Sequence, residues 1–194
     1  LYREAMAVDP EYAEVHYRLA RTLLAGGDST RALEHYRRAR DDDALRFRAD
    51  SRINDIVRNV AGAHGKREVS LVDAEAQFGL GGEELFYEHV HLTPEGNYRL
   101  ATMLANRLIG EAAVNTEMPD VVTVRRSLAL TRWDESRMRA QIAALMERLP
   151  FTEQIDHERR LTRFKSTIER GALQSDALHS YEGAIRARPD DIHL

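Results

Sequence analysis

Glu88, His89 and His91 crowd one short stretch, FYEHVHLTPEGNYRLA, residues 86–101. A carboxylate three positions before an imidazole, on a loop that runs into a helix, can fold back onto a ring nitrogen. That pairing suits general-base chemistry: the acid fixes the imidazole's tautomer and orientation, and the second nitrogen is left to take a proton. Two other readings stay open. His89 and His91 with Glu88 have the ligand types of a metal site, although neighbours on an extended segment point to opposite sides and no further ligand set stands out. The blandest reading is a surface loop whose imidazoles only hydrogen-bond the backbone, and it suits His89 best. His91 is taken as the candidate base and Glu88 as its orienting acid.

Such a loop needs elements to hold it. Thr93 can cap a helix with Pro94 at its first position, running to about Ile109 with Leu100, Ala101, Leu104 and Leu108 inward. Upstream, REVSLVDAE carries Val69, Leu71 and Val72 and closes near Asp73, a short apolar run that suits a buried strand. Before it, residues 44–63 place Ile53, Ile56, Val57 and Val60 on one helical face, with Gly62 and Gly65 as stops. Helix, strand, loop and helix form the repeating unit of a parallel α/β sheet, where ligands sit beyond the strands' carboxyl ends. A parallel strand needs neighbours and covering helices. The chain offers one convincing strand, since VVTV at 121–124 is a poor second. The remaining strands are expected upstream in a longer parent or on a partner chain.

A different pattern flanks this segment. Tyr2, Ala5 and Pro10 return 34 residues later as Tyr36, Ala39 and Ala44. Between them lie two amphipathic helices around a Gly-Gly-Asp turn, with Leu19, Leu23, Ala32, Tyr36 and Ala39 at interlocking positions. This resembles the tetratricopeptide repeat, whose period is about 34 residues. Ala44 departs from the pattern where a proline is usual. At the far end Ala177, Tyr181, Ala184 and Pro189 carry the same signature, preceded by Leu161, Phe164 and Ile168 on one face. Met138, Ile142, Leu145, Met146 and Leu149 mark another helix, stopped by Pro150. Trp133 reads as a packing residue at a helix start, and RRARDDD as a solvated helix end.

RINDIVRNVAGAHGKREVSLVDAEAQF followed by EHVHLTPEGNYRLATMLANRL resembles the C-terminal half of an SGNH (GDSL-type) hydrolase. Val69, Leu71, Val72 and Asp73 fall on that family's last strand, His91 on its catalytic base, and Gly96, Tyr98 and Leu100 on the helix that follows. Glu88 falls where the family has Asp, one methylene shorter. The resemblance implies a three-layer α/β/α fold and hydrolysis or transfer of an ester-linked acyl group, with a nucleophilic Ser and oxyanion donors that have no match here. Gly27, Asp28 and Ser29 do spell Gly-Asp-Ser, but a helical pattern precedes them, so Ser29 reads as part of the repeat's turn and not as the nucleophile.

Composition bounds the rest. The chain has 194 residues, is 43% hydrophobic and 31% charged, carries a net charge of −4 and contains no cysteine. Disulfides and Cys-ligated metals are excluded. No basic face calls for nucleic acid, because VRR and HERR are balanced by nearby acids. No apolar run is long enough to span a membrane. The expected fold is mostly α with a small α/β part: a repeat region over 1–43, the C-terminal part of an SGNH-like domain over 44–112, and a helical region ending in a repeat over 113–194. Both ends read as cuts from a longer, bacterial-type chain, so compartment is not legible. No cofactor or metal is expected. The partners expected are a protein or peptide on the repeat surface and an ester or acyl substrate at His91. A catalytic parent is the first reading, although these residues alone lack the nucleophile. A non-catalytic repeat scaffold with a degenerate hydrolase-like segment is the alternative.

Overall fold

The structure, a computed structural model, describes residues 2–64, 69–80, 82–109, 118–169 and 173–191. The chain divides into two units, Leu1–Ala113 and Val114–Leu194. Among the described residues the secondary structure is helical, and no helix is long and apolar enough to cross a membrane.

The first unit begins with α1 (Tyr2–Val8), α2 (Ala13–Ala25) and α3 (Ser29–Asp41). The α2–α3 turn is made by Gly27 at φ 85°, a left-handed conformation that glycine adopts without a Cβ penalty. Asp28 then caps α3 by accepting the Arg31 N–H at 3.1 Å. Small residues set the packing. Ala20 and Ala32 are each 0% exposed, which lets the two helices approach closely. Tyr17 meets Tyr36 edge-on at 5.8 Å between ring centroids.

Four more helices follow: α4 (Ser51–Ala63), α5 (Ala74–Phe78), α6 (Gly82–Leu85) and α7 (Pro94–Ile109). Asp50 caps α4 through the Ile53 N–H at 2.8 Å, and Asp73 caps α5 through the Ala76 N–H at 3.1 Å. The strand expected over 67–75 is not found. Residues 69–73 are described and belong to no strand, and residues 67 and 68 lie outside the described residues. The only bridge among the described residues is an isolated antiparallel one between Phe86 and Leu92. The small α/β part of the expected fold therefore has no support. The reason is physical: an extended segment becomes a strand only by pairing, and no described segment forms a ladder with this one.

Described apolar side chains in the same region stay in solvent. Ile53, Ile56, Val57 and Val60 do share one face of α4, yet all remain about half exposed. On α7, Leu104 is 44% and Leu108 81% exposed, where both were expected inward. Their spacing signals an apolar face but not what lies against it.

The second unit holds α8 (Val121–Ser127), α9 (Arg132–Met146), a 3-10 turn (Phe151–Glu153), α10 (His157–Ser166) and α11 (Leu173–Ala187). VVTV, the weak strand candidate, opens α8, because Asp120 accepts the Thr123 N–H at 2.7 Å and starts a helix. A reciprocal pair of bonds between Thr131 and Asp134 caps α9. Ile142, Ala143, Met146, Leu161 and Ala177 are buried, whereas Leu145 and Leu149, assigned to the same α9 face, are 41% and 70% exposed. The Tyr181 hydroxyl donates to Asp134 at 2.6 Å, tying α11 to α9.

Candidate functional site

The histidine loop is closed at its base by backbone. Tyr87 N–H donates to the His91 carbonyl at 2.8 Å, and Thr93 N–H to the Leu85 carbonyl at 2.8 Å. Leu85 is 0% exposed and anchors the loop's start. Thr93 plays the capping role its position suggested: its hydroxyl accepts the Gly96 N–H at 3.1 Å and donates to the Glu84 carbonyl at 3.1 Å. Gly96 is what allows α7 to come this close. A Cβ there would stand 2.3 Å from the Leu85 carbonyl oxygen and 2.9 Å from Leu92 Cδ2.

Within the loop, Glu88 folds its side chain back over the residues that follow it. One carboxylate oxygen accepts the His91 N–H at 2.9 Å, and the other accepts the Val90 N–H at 3.1 Å and the His89 N–H. The first oxygen also meets His91 Nδ1. The Glu88 side chain is only 3% exposed, while His91 is 54% exposed. Burial pushes the Glu88 carboxyl up, but the hydrogen bonds from the His91 backbone, the His91 ring and Val90 outweigh it and hold the group below the usual carboxylate range.

The consequence for His91 is a fixed tautomer. An ionised carboxylate only accepts, so Nδ1 must carry the hydrogen, and Nε2 of neutral His91 is left with its lone pair. That is the arrangement of an acid-oriented base. The structure thus brings Glu88 and His91 together. His89 sets its ring against Phe47 at 5.6 Å between centroids, with Nδ1 3.7 Å from the other Glu88 oxygen. Among the described residues, no group of three or more His, Asp or Glu side chains is placed to hold a metal ion. A groove of about 500 Å³ between the 71–72 segment and α7, lined by Leu71, Val72, Tyr98, Thr102 and Met103, does not include the Glu88–His91 pair. Ser29 is the first residue of α3, directly after its Asp28 cap.

One charged cluster escaped the sequence reading. RRARDDD reads as a solvated helix end, yet Arg40 is 12% exposed. It donates to Glu75 at 2.7 Å, Ser51 Oγ at 2.6 Å and Asp41 at 2.9 Å. Arg58 on α4 grips Asp73 through two nitrogens at 2.7 and 3.2 Å, and also meets Glu75. The hydrogen bonds that Arg58 donates to Asp73 and Glu75 hold its guanidinium above its ordinary range. Asp73, Glu75, Arg40 and Arg58 therefore bolt the end of α3 to α4 and α5. No local pattern marks this, because the partners stand up to 35 positions apart.

A family model described as Tetratricopeptide repeat matches residues 1–51. This supports the reading of the α1–α3 region as tetratricopeptide repeat. The signature at Ala177–Pro189 lies outside the matched residues. No curated protein and no solved structure matches the chain. None of these comparisons supports the hydrolase resemblance.

Proposed function

We propose that this chain is an interaction scaffold whose repeat region takes a protein or peptide partner. The observation that carries this is the α2–α3 hairpin, matched as a tetratricopeptide repeat and closed through fully buried Ala20 and Ala32. Helical repeats of this kind present extended surfaces to partners. On α2 the Arg21 guanidinium lies over the Tyr17 ring at 5.9 Å, an aromatic and a cation side by side. Such residues are enriched at binding hot spots. The Ala177–Pro189 signature makes α11 a second repeat-like helix in this reading.

Selection of peptides from a displayed library against the 194-residue chain tests it. Enriched peptides should lose at least about tenfold in affinity on Arg21→Glu or Tyr17→Ala, a loss of ~1.4 kcal/mol. Peptides indifferent to both changes, or no enrichment, would sink the reading.

A second reading is favoured by one observation, the contact of buried Glu88 with His91 Nδ1. In it, the loop is the base half of an SGNH-type acyl hydrolase or transferase. His91 takes the proton of a serine supplied from outside these residues, Glu88 orients the ring, and the substrate is an ester or acyl group. Labelling of the natural full-length protein with a fluorophosphonate, beside His91→Ala and Glu88→Ala, distinguishes the two readings. Labelling that vanishes in His91→Ala supports a working site. A folded protein that takes no label leaves the scaffold alone.

A further inference from the structure

Inside the repeat hairpin, His16 on α2 and His35 on α3 face each other with Nδ1 to Nδ1 at 2.9 Å and ring centroids at 5.1 Å. His16 is 3% exposed. Its Nε2 stands 2.8 Å from the Pro10 carbonyl oxygen. A carbonyl only accepts, so His16 Nε2 carries a hydrogen. Neutral His16 then has a bare Nδ1, and His35 must donate to it from its own Nδ1–H. One shared hydrogen thus joins the two rings.

Adding protons to this geometry has a definite limit. One proton is accommodated, because either ring can be the imidazolium and still donate across the 2.9 Å gap. Two protons are not. Both Nδ1 atoms would then carry hydrogens pointing at one another, and two positive charges would meet within the hairpin. The surroundings are mixed. Asp42 at the end of α3 places a carboxylate oxygen 3.9 Å from His16 Nε2. On α3, Glu34 favours the charged form of His35, while Arg31 and Arg38 oppose it. The turn after α1 contributes the Pro10 carbonyl, with Asp9 and Glu11 on either side of that residue. Burial, then His16, keep His35 below the ordinary imidazole range.

We infer that the His16–His35 pair is an acid-sensitive latch: it holds α2 on α3 while the pair shares at most one added proton, and releases the hairpin when both rings are protonated. The sign follows from linkage. The unfolded chain takes up protons near pH ~6.5, above the folded-state value for His35. The latch's contribution is therefore full above that pH, and it declines below it until the folded pair has taken up its second proton. Acidification would loosen the α2–α3 surface while leaving the second unit, which has its own core, unaffected. This inference needs only the hairpin's geometry and not the partner reading above.

The test is NMR on the 194-residue chain. At pH 7.5, long-range imidazole proton–nitrogen correlations should show His16 as the Nε2–H tautomer and His35 as the Nδ1–H tautomer. Between pH 7.5 and 5.0, amide exchange in α2 and α3, corrected for intrinsic chemistry, should accelerate relative to α9 and α10. In His35→Asn, which keeps an N–H donor but does not titrate, the excess acceleration should vanish. A His35 carrying its hydrogen on Nε2 at pH 7.5, or acceleration equal in both units, overturns the latch. So does a wild-type response in His35→Asn. If that variant does not fold, the wild-type tautomers and exchange decide alone.

Discussion

In the α2–α3 hairpin, Ala20 and Ala32 are 0% exposed, whereas the four aliphatic residues along α4 each keep about half their surface in solvent. The hairpin closes on itself: two helices, a glycine turn, a capping aspartate and small residues at the seam. The segment from α4 to α7 is held differently. Its order comes from ion pairs (Arg40 and Arg58 on Asp73 and Glu75) and from a backbone-closed loop at the foot of α7. Apolar burial is a non-directional force that scales with area removed from water. A segment that leaves its aliphatic face exposed must rely on polar geometry instead. The two regions thus differ in what a mutation can damage: packing in the first, and in the second mainly directed contacts, with close packing at the foot of α7 where Gly96 meets Leu85 and Leu92.

The largest expected effect is in the hairpin. Ala20→Leu forces a larger side chain into a seam with no space and should cost about 2–3 kcal/mol, read by urea unfolding of the first unit. Next is Gly96→Ala, whose methyl would press on the Leu85 carbonyl. A loss of about 2 kcal/mol and displaced His91 ring resonances are expected, with α2–α3 amide exchange unchanged. If exchange in the hairpin rises equally, the two regions are one cooperative body and the comparison fails. Arg40→Ala should cost about 1 kcal/mol, because Arg58 still covers Glu75. The smallest effect distinguishes the surfaces most sharply. Ile56→Ser should change stability by no more than about 0.5 kcal/mol, since half of Ile56 is already wet, whereas a covered isoleucine would lose several-fold more.

The Glu88 carboxyl gives a pH test of the loop alone. Its folded-state value lies below the unfolded value of about 4.3. Its contribution is therefore present above that pH and fades as pH falls through the folded-state value. Glu88→Gln should flatten this part of the acid-unfolding curve. An unchanged curve would mean that the carboxylate contributes nothing to loop order.

What the sequence revealed was local, and what it hid was not. The repeat was legible because Gly27, Asp28 and Ala32 carry their roles within one hairpin, whereas the equally buried Ala20 was not singled out. The Glu88–His91 contact was legible because three residues of spacing bring a carboxylate back to a ring. The capping of α7 by Thr93 was legible for the same reason. The strand at 69–73 was misread because an apolar run says nothing about whether a neighbour exists to pair with it. Leu104 and Leu108 were misplaced for the same cause. Arg40 and Glu75 could not be paired from spacing, and His16 drew no notice because a histidine in a helix pattern gives no sign of its partner nineteen positions on.

In the proposed function, partner binding belongs to the repeat hairpin. The most direct measurement is chemical-shift mapping on the 194-residue chain with a peptide selected against it. Perturbations are expected to concentrate on α2, at Tyr17, Arg18 and Arg21, with the histidine loop unmoved. Perturbations centred on His91, or confined to the second unit, would contradict it.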